Sequence, residues 1–167
     1  KTHRVASFEA LARWDHAELG SISPAEFIQT AEHLGLIGQI TRSLLTRTLE
    51  VAKKWPDNYR IAFNLSPLDV TSPEAAIRIV AIANASGINP KRVRFEITET
   101  AIVSHMDNAK AAIALFKQFG ARVAIDDFGT GYSSLSQLHR LPWDYIKIDK
   151  SFITDILSNE TSEKLIK

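Results

Sequence analysis

The stretch Asp126-Asp127-Phe128-Gly129-Thr130-Gly131-Tyr132-Ser133-Ser134 joins two adjacent carboxylates to a loop that contains two glycines. It directly follows Ala121-Arg122-Val123-Ala124-Ile125, a short apolar run that begins after Gly120. Short β-branched runs bounded by glycine and loop residues are typical of buried strands. The sequence therefore predicts a strand that stops at Asp126 and Asp127, where paired carboxylates are suited to divalent cations.

The same pattern, a short strand followed by a helix, is repeated along the chain. Strand-like runs occupy residues 5–11, 60–66, 93–99, 121–125 and 145–149. Helices are predicted from Pro24 to Gly35, over about residues 39–55, from Pro73 to Gly87, from Asp107 to Gly120, and over a short stretch before Tyr145. Ser23 and Glu26 are expected to form a capping box, and Asp107 is expected to cap its helix. A repeat of roughly thirty residues is the size of one βαβ unit, so we predict an α/β domain with a parallel sheet and outer helices.

The composition narrows the class of protein. The chain has 167 residues, of which 45% are hydrophobic and 23% charged, which is ordinary for a globular domain. Net charge is +1 and the 20 basic residues are scattered, so no DNA or RNA partner is expected. The absence of cysteine removes thiolate metal ligands and favours a reducing compartment. Since the sequence also lacks an apolar run of membrane-spanning length, we expect a cytoplasmic segment without membrane contact of its own, free or within a larger membrane-anchored protein.

A polar side chain stands near the end of every predicted strand. These residues are Glu9, Asn64, Glu96, Asp126 with Asp127, and Lys147. Taken singly, an acidic residue at a strand end is usually structural, but in a parallel barrel all strand ends meet at one face. Oxygen ligands without cysteine or histidine favour Mg²⁺, Mn²⁺ or Ca²⁺, and adjacent aspartates permit a two-metal site that acts on a phosphoester.

Several motifs occur in the same order as in a known family. Phe8-Glu9-Ala10-Leu11-Ala12-Arg13-Trp14 resembles the signature of the EAL domains, bacterial phosphodiesterases that hydrolyse cyclic di-GMP. The other matching motifs are Ile22-Ser23-Pro24, Asn64-Leu65-Ser66, Glu96-Ile97-Thr98-Glu99, residues 126–134, Leu141-Pro142 and Lys147-Ile148-Asp149-Lys150-Ser151-Phe152. Together they span nearly the whole chain, so the resemblance is specific.

The resemblance implies a TIM-like (β/α)₈ barrel with a two-metal site for Mg²⁺ or Mn²⁺. In such a site the first cation is held by Glu9, Asn64, Glu96 and Asp126, and Asp126 or Asp127 reaches the second. The implied catalytic residues are Glu9, Asp127 and Lys147, and Lys147 is implied to position or polarise the attacking water and the phosphate.

The resemblance also assigns substrate contacts. Arg13 is implied to hold a substrate phosphate and Leu11 to line the guanine or ribose pocket, while Asp127 and Asp149 complete the implied substrate-binding set. The loop of residues 127–134 is implied to couple the metals to dimer contacts, anchored by hydrogen bonds of Glu99.

The chain is shorter than the family pattern. A complete (β/α)₈ barrel needs about 250 residues, whereas this sequence resembles strands two to six of the family. We therefore interpret residues 1–167 as an incomplete EAL domain, lacking the strands that carry a further metal-ligating glutamate. A fragment and a swapped assembly completed by a partner both fit this interpretation.

Three functions remain open at this point. The first is hydrolysis of cyclic di-GMP to linear pGpG by a metal-dependent, cyclic-guanylate-specific phosphodiesterase. The second is a catalytically inactive cyclic di-GMP receptor, and the third is a regulatory interaction domain. The implied protein partners are a second copy in a homodimer and a sensory or GGDEF domain within the full-length protein.

Overall fold

A computed structural model of the chain describes residues 5–129 and 141–149. In chain order the elements are β1 (Ser7–Ala10), β2 (Trp14–His16), β3 (Gly20–Ile22), α1 (Pro24–His33), α2 (Ile37–Ala52), β4 (Arg60–Leu65), α3 (Pro67–Thr71), α4 (Pro73–Ser86), a 3₁₀ turn (Pro90–Arg92), β5 (Val93–Thr98), α5 (Glu99–Ser104), α6 (Met106–Phe119), β6 (Arg122–Phe128) and β7 (Tyr145–Ile148). Five strands form one sheet in the order β1-β4-β5-β6-β7, and every neighbouring pair is parallel. The predicted α/β class and parallel sheet are therefore confirmed.

The sheet has an apolar face and a polar face, because successive residues of a strand point to opposite sides. On the apolar face Phe63, Phe95 and Ile125 are buried in the core together with residues of the outer helices. Phe95 packs against Phe116 of α6 with 4.8 Å between ring centroids. The alternate positions of the same strands carry the polar residues Asn64, Arg94, Glu96, Thr98, Arg122 and Asp126. The helices therefore pack against the apolar face, and the candidate site residues lie on the polar face.

Two predicted helix caps are wrong. Helix α1 begins at Pro24 as expected, but Ser23 makes no side-chain capping hydrogen bond. The start is instead fixed by Pro24, whose φ is already helical and which has no N–H to satisfy. His105, not Asp107, occupies the cap position of α6, and Asp107 lies in the first turn, where its charge favours the helix dipole.

Other boundaries differ from the prediction by a few residues or more. Helix α2 runs over Ile37–Ala52 instead of about 39–55. Strand β6 continues through Asp126 and Asp127 to Phe128, so both carboxylates lie within the strand, near its end, instead of after it. The hairpin of β2 and β3 and the short helices α3 and α5 were not predicted. The helix expected before Tyr145 falls mostly outside the described residues.

We expect the Gly120→Ala substitution to destabilise the protein by about 1–2 kcal/mol. Gly120 ends α6 with a φ of 98°, and an added Cβ would lie 3.2 Å from Cβ of Pro90. Gly38→Ala is the matched control, because Gly38 lies inside α2 and its Cβ would meet only the flexible end of Arg42. Chemical denaturation should show Gly38→Ala unchanged or more stable by about 0.5–1 kcal/mol. Equal stability of Gly120→Ala and wild type would contradict the described turn.

Candidate metal centre

Four oxygen-bearing side chains converge at the carboxyl ends of four adjacent strands. Asn64 of β4 pairs in register with Glu96 of β5, and Asp126 of β6 pairs with Thr98 of β5. Glu9 lies on β1, opposite Ala62 of β4. One carboxylate oxygen from each of Glu9, Glu96 and Asp126 lies within 4.8 Å of the other two. The predicted convergence of strand ends therefore brings these residues to one place.

Lys147 of β7 lies among the three carboxylates. Its Nζ is 2.5 Å from Oε2 of Glu96, 2.8 Å from Oδ2 of Asp126 and 3.7 Å from Oε2 of Glu9. Burial alone would lower the pKa of Lys147, but its hydrogen bonds to Asp126 and Glu96 and their charges outweigh it, so the pKa lies well above the ordinary value. The side chain is therefore a permanent cation at neutral pH that offsets the repulsion among the acids.

Glu96 is the most enclosed member of the cluster, with a side chain that is 0% exposed. Its Oε1 lies 2.7 Å from a terminal nitrogen of Arg94, a distance typical of an ion pair. The two groups are poorly aligned, however, and neither Oε1 of Glu96 nor Nε of Arg94 has a hydrogen-bond partner among the described residues. The buried Oε1 is therefore balanced by the charge of Arg94 and not by a hydrogen bond.

Asn64 completes the set of oxygen donors. Its Nδ2 donates a hydrogen bond of 2.9 Å to Oε1 of Glu9, which fixes the amide and leaves the carbonyl oxygen as its other polar atom. Three carboxylates and one amide oxygen, without histidine or cysteine, are the donor chemistry of Mg²⁺, Mn²⁺ or Ca²⁺. The residues present therefore fit a hard divalent cation.

Asp127 has a different backbone and environment from Asp126. Its φ of 52° is in the left-handed region, which is uncommon for a residue other than glycine, and its N–H donates to Oδ1 of Asp126 at 3.0 Å. Burial raises the pKa of Asp127, and the negative charges of Asp126 and Asp149 raise it further. The carboxylate thus lies close enough to the acids to respond to them, without belonging to the group formed by Glu9, Glu96 and Asp126.

Glu99 contacts the beginning of the loop that it is predicted to anchor. Its side chain is only 2% exposed, and its Oε2 accepts a hydrogen bond of 2.8 Å from the N–H of Gly129. Gly129 has a φ of 102°, so the chain turns sharply where β6 ends. The remainder of the predicted coupling loop, residues 130–134, lies outside the described residues.

The predicted substrate residues Leu11 and Arg13 line a cavity of about 530 Å³ that Asn64 also borders. Leu11 is 57% exposed, and Arg13 donates a hydrogen bond of 2.8 Å to the carbonyl of its neighbour Ala12. The backbone N–H of Asp149 donates to the carbonyl of Phe128 at 3.2 Å, which ties β7 to the end of β6. Leu11 and Arg13 therefore share a cavity with a metal-site residue, whereas Asp149 stands beside Asp127.

The family model described as EAL domain matches residues 1–167. The chain belongs to the EAL domain family. Among the described residues of this EAL domain, no helix combines the length and the apolar character that crossing a membrane requires.

Two curated relatives illustrate the family. The protein y4lL of Sinorhizobium fredii (strain NBRC 101917 / NGR234) is 41% identical over 167 residues, which are 100% of this chain and 20% of that protein. Cyclic di-GMP phosphodiesterase PdeR of Escherichia coli (strain K12) is 37% identical over 166 residues, which are 98% of this chain and 25% of that protein. This EAL domain therefore spans a quarter or less of the length of these relatives.

Solved structures support the predicted architecture. PaMucR phosphodiesterase in complex with cyclic di-GMP has a TM-score of 0.86 and 32% identity, covering 96% of this chain and 67% of that one. Klebsiella pneumoniae BlrP1, in a calcium and cyclic di-GMP complex, has a TM-score of 0.78 and 31% identity, covering 98% of this chain and 41% of that one. The parallel sheet of this EAL domain is a curled half-barrel that corresponds to part of a TIM barrel, as predicted.

Sequence reasoning missed two residues beside the site of this EAL domain. Arg94 contacts Glu96, and its position two residues earlier on the same strand already places both on one face. Buried Asp69 accepts hydrogen bonds from Thr41 and from the hydroxyl and N–H of Ser66, just after Asn64. Ser66 and Asp69 form a capping box at the start of α3, a spacing that is visible in the sequence.

Proposed function

We propose that this EAL domain carries out metal-dependent hydrolysis of cyclic di-GMP to linear pGpG. The observation that carries the proposal is the convergence of Glu9, Glu96 and Asp126, with ligand atoms within 4.8 Å of one another, around the protonated amine of Lys147. The similarity to PdeR and to PaMucR phosphodiesterase supports the same activity and substrate.

In this proposal some residues of the chain hold the cations and others hold the substrate. Glu9, Asn64, Glu96 and Asp126 would hold the first Mg²⁺ or Mn²⁺, and Asp127 would contribute to the second. When bound, the two cations supply a lowered pKa for an attacking water and neutralise charge on the phosphoryl oxygens. Asn64 is held for this role by its hydrogen bond to Glu9.

Lys147 acts as a donor in this proposal. An ammonium group has three N–H donors and no acceptor, so it donates hydrogen bonds and does not act as a base. Placed among the acids, it can donate to the attacking water or to a phosphate oxygen. Its charge is then available where negative charge develops in the transition state.

The substrate is placed by the cavity next to Asn64. Arg13 is proposed to bind one phosphate through its guanidinium, and Leu11 to contact the guanine or ribose. Asp127 and Asp149 complete the proposed substrate contacts. Water loses a proton and its oxygen bonds to one phosphorus, the bond from that phosphorus to the 3′ oxygen breaks, and the 3′ oxygen takes up a proton and leaves as a hydroxyl, so that one water is added in total. One phosphodiester of the ring is opened and the other is retained.

The proposed setting of the domain follows from the length of its relatives. Because the chain spans 20% of y4lL and 25% of PdeR, we propose that residues 1–167 are an incomplete EAL domain of a longer protein. A sensory or GGDEF domain is the proposed neighbour and a homodimer the proposed assembly. The cytoplasm is the proposed compartment, in keeping with the absence of cysteine.

We expect removal of divalent cations to abolish the hydrolysis. The natural full-length protein, incubated with cyclic di-GMP and Mg²⁺ or Mn²⁺, should accumulate pGpG on chromatography, and chelation with EDTA should reduce the product to background. Restoring Mg²⁺ in excess of the chelator should restore the rate, which controls for irreversible unfolding. Turnover that persists in EDTA would contradict the proposal, whereas tight binding of cyclic di-GMP without turnover would identify a receptor.

A further inference from the structure

The two oxygens of the Glu96 carboxylate face two different cationic groups. Oε2 receives the amine of Lys147 at 2.5 Å, on the side of Asp126 and Glu9. Oε1 faces the guanidinium of Arg94 at 2.7 Å. Oε2 therefore faces the candidate metal centre, and Oε1 faces an arginine of the protein itself.

Arg94 is fixed by contacts below the metal centre. Its guanidinium carbon lies 5.5 Å from the ring centroid of Tyr145, a cation–π distance. The Tyr145 hydroxyl accepts a hydrogen bond from Arg122, whose guanidinium also lies against this ring. Arg94 and Arg122 are register partners on adjacent strands. With a side chain that is 24% exposed, Arg94 is held between an aromatic ring and Glu96.

We propose that Arg94 is a positioning residue that makes Glu96 a monodentate ligand through Oε2, and thereby sets the preference of the site for Mg²⁺ or Mn²⁺ over Ca²⁺. This inference rests on the proposed function, because it needs a cation at the cluster. Mg²⁺ takes six ligands in a strict octahedron, whereas Ca²⁺ takes six to eight and readily accepts both oxygens of one carboxylate. An arginine that occupies Oε1 removes the second oxygen and so disfavours the larger ion.

The relative affinity of the site for Ca²⁺ and Mg²⁺ distinguishes the positioning of Glu96 by Arg94 from simple charge repulsion by Arg94. A guanidinium near the site repels all divalent cations to a similar extent, so its removal would change their affinities in parallel. Release of Oε1, in contrast, adds a ligand that Ca²⁺ uses better than Mg²⁺. The ratio of the Ca²⁺ and Mg²⁺ dissociation constants therefore reports the coordination of Glu96.

The test measures cation binding without turnover. Free Mn²⁺ is followed by electron paramagnetic resonance in the natural full-length protein, and Mg²⁺ or Ca²⁺ is added as competitor. The Arg94→Gln variant should shift the affinity ratio toward Ca²⁺ by about tenfold, the effect typical of residues that orient a metal ligand. Arg94→Lys retains a cation for Oε1 and should restore the ratio to within about threefold of wild type. Tyr145→Leu removes the ring that supports Arg94 and should shift the ratio in the same direction as Arg94→Gln.

Two controls make each result decisive. Arg78→Gln removes an exposed guanidinium of helix α4 and should leave the ratio unchanged. Glu96→Gln should remove the site itself. If Glu96→Gln abolishes Mn²⁺ binding while Arg94→Gln and Tyr145→Leu leave the ratio unchanged, the role of Arg94 is overturned. If Glu96→Gln leaves Mn²⁺ binding intact, the metal centre of the proposed function fails, and this inference fails with it.

Discussion

The Glu9→Ala protein should hydrolyse cyclic di-GMP about a thousandfold more slowly than wild type at saturating Mg²⁺. Glu9 supplies one of three carboxylate oxygens within 4.8 Å of one another, so the substitution removes a charged ligand from the proposed cation. Loss of one such ligand removes several kcal/mol of transition-state stabilisation, and about 4 kcal/mol corresponds to a thousandfold in rate. The measurement is the rate of pGpG formation by chromatography under single-turnover conditions.

Glu9 is a better position for this test than Glu96. The Glu9 side chain is 36% exposed at the end of strand β1, so its truncation opens no closed cavity. Glu96 is fully enclosed, and its loss would leave Arg94 and Lys147 facing one another without the carboxylate between them. A fall in rate for Glu96→Ala would therefore mix lost chemistry with lost stability, because a buried charge without a partner is strongly destabilising.

The matched control for Glu9→Ala is Glu50→Ala. Glu50 is an exposed acidic residue of helix α2 and is not a member of the acidic cluster. We expect its rate and melting temperature to remain those of wild type. Equal rates for Glu9→Ala and wild type, with a shared melting temperature, would show that hydrolysis does not use the rim where β1, β4, β5 and β6 end.

The site was predictable because parallel strands have a simple geometry. Once the strands are parallel and the side chains alternate, polar residues near the carboxyl ends must meet at one rim. This argument correctly brought Glu9, Asn64, Glu96 and Asp126 together from four separate runs of sequence. It could not give the individual contacts. That Lys147 bonds to Glu96 and Asp126, while Arg94 takes the other oxygen of Glu96, depends on the stagger between strands.

The errors occurred where local sequence signals compete. The three-residue strands β2 and β3 are too short to show an alternating pattern, so the hairpin at Trp14–His16 and Gly20–Ile22 gave no strand signal. At the starts of α1 and α6, the expected capping residues Ser23 and Asp107 do not cap the helix. Proline fixed the first start, and in the second an acidic residue is equally favourable inside the first turn.

The Lys147→Met substitution should affect both stability and hydrolysis. Methionine keeps much of the length of the side chain but removes the amine that contacts Glu96 at 2.5 Å and Asp126 at 2.8 Å. Without this amine the three carboxylates repel one another more strongly, and we expect a loss of about 2 kcal/mol. This is below the range of about 3–5 kcal/mol for a broken buried ion pair, because Lys147 is itself 35% exposed. Since Lys147 is also the proposed donor to the phosphate, the rate should fall about a hundredfold or more.

Metal should rescue the stability of this variant but not its activity. A divalent cation replaces the missing positive charge among the acids, so the rise in melting temperature on adding Mg²⁺ should be larger for Lys147→Met than for wild type. Lys117→Met is the control, because Lys117 also forms a 2.7 Å ion pair, with Asp144, but away from the cluster. Its response to Mg²⁺ should equal that of wild type. An equal response of Lys147→Met and wild type would show that the cation does not replace the charge of the missing amine among these acids.

The pH dependence gives an independent check on the role of Lys147. Its folded pKa is raised above the ordinary value of 10.5, so its contribution to stability is fully present below that value and is lost only as pH rises through the folded pKa. The difference in unfolding free energy between wild type and Lys147→Met should therefore be flat from about pH 7 to 9, measured without metal by urea denaturation. A difference that shrinks across this range would mean that Lys147 loses its proton near neutrality. The amine could then act as a general base, and its proposed role as a fixed cationic donor would be wrong.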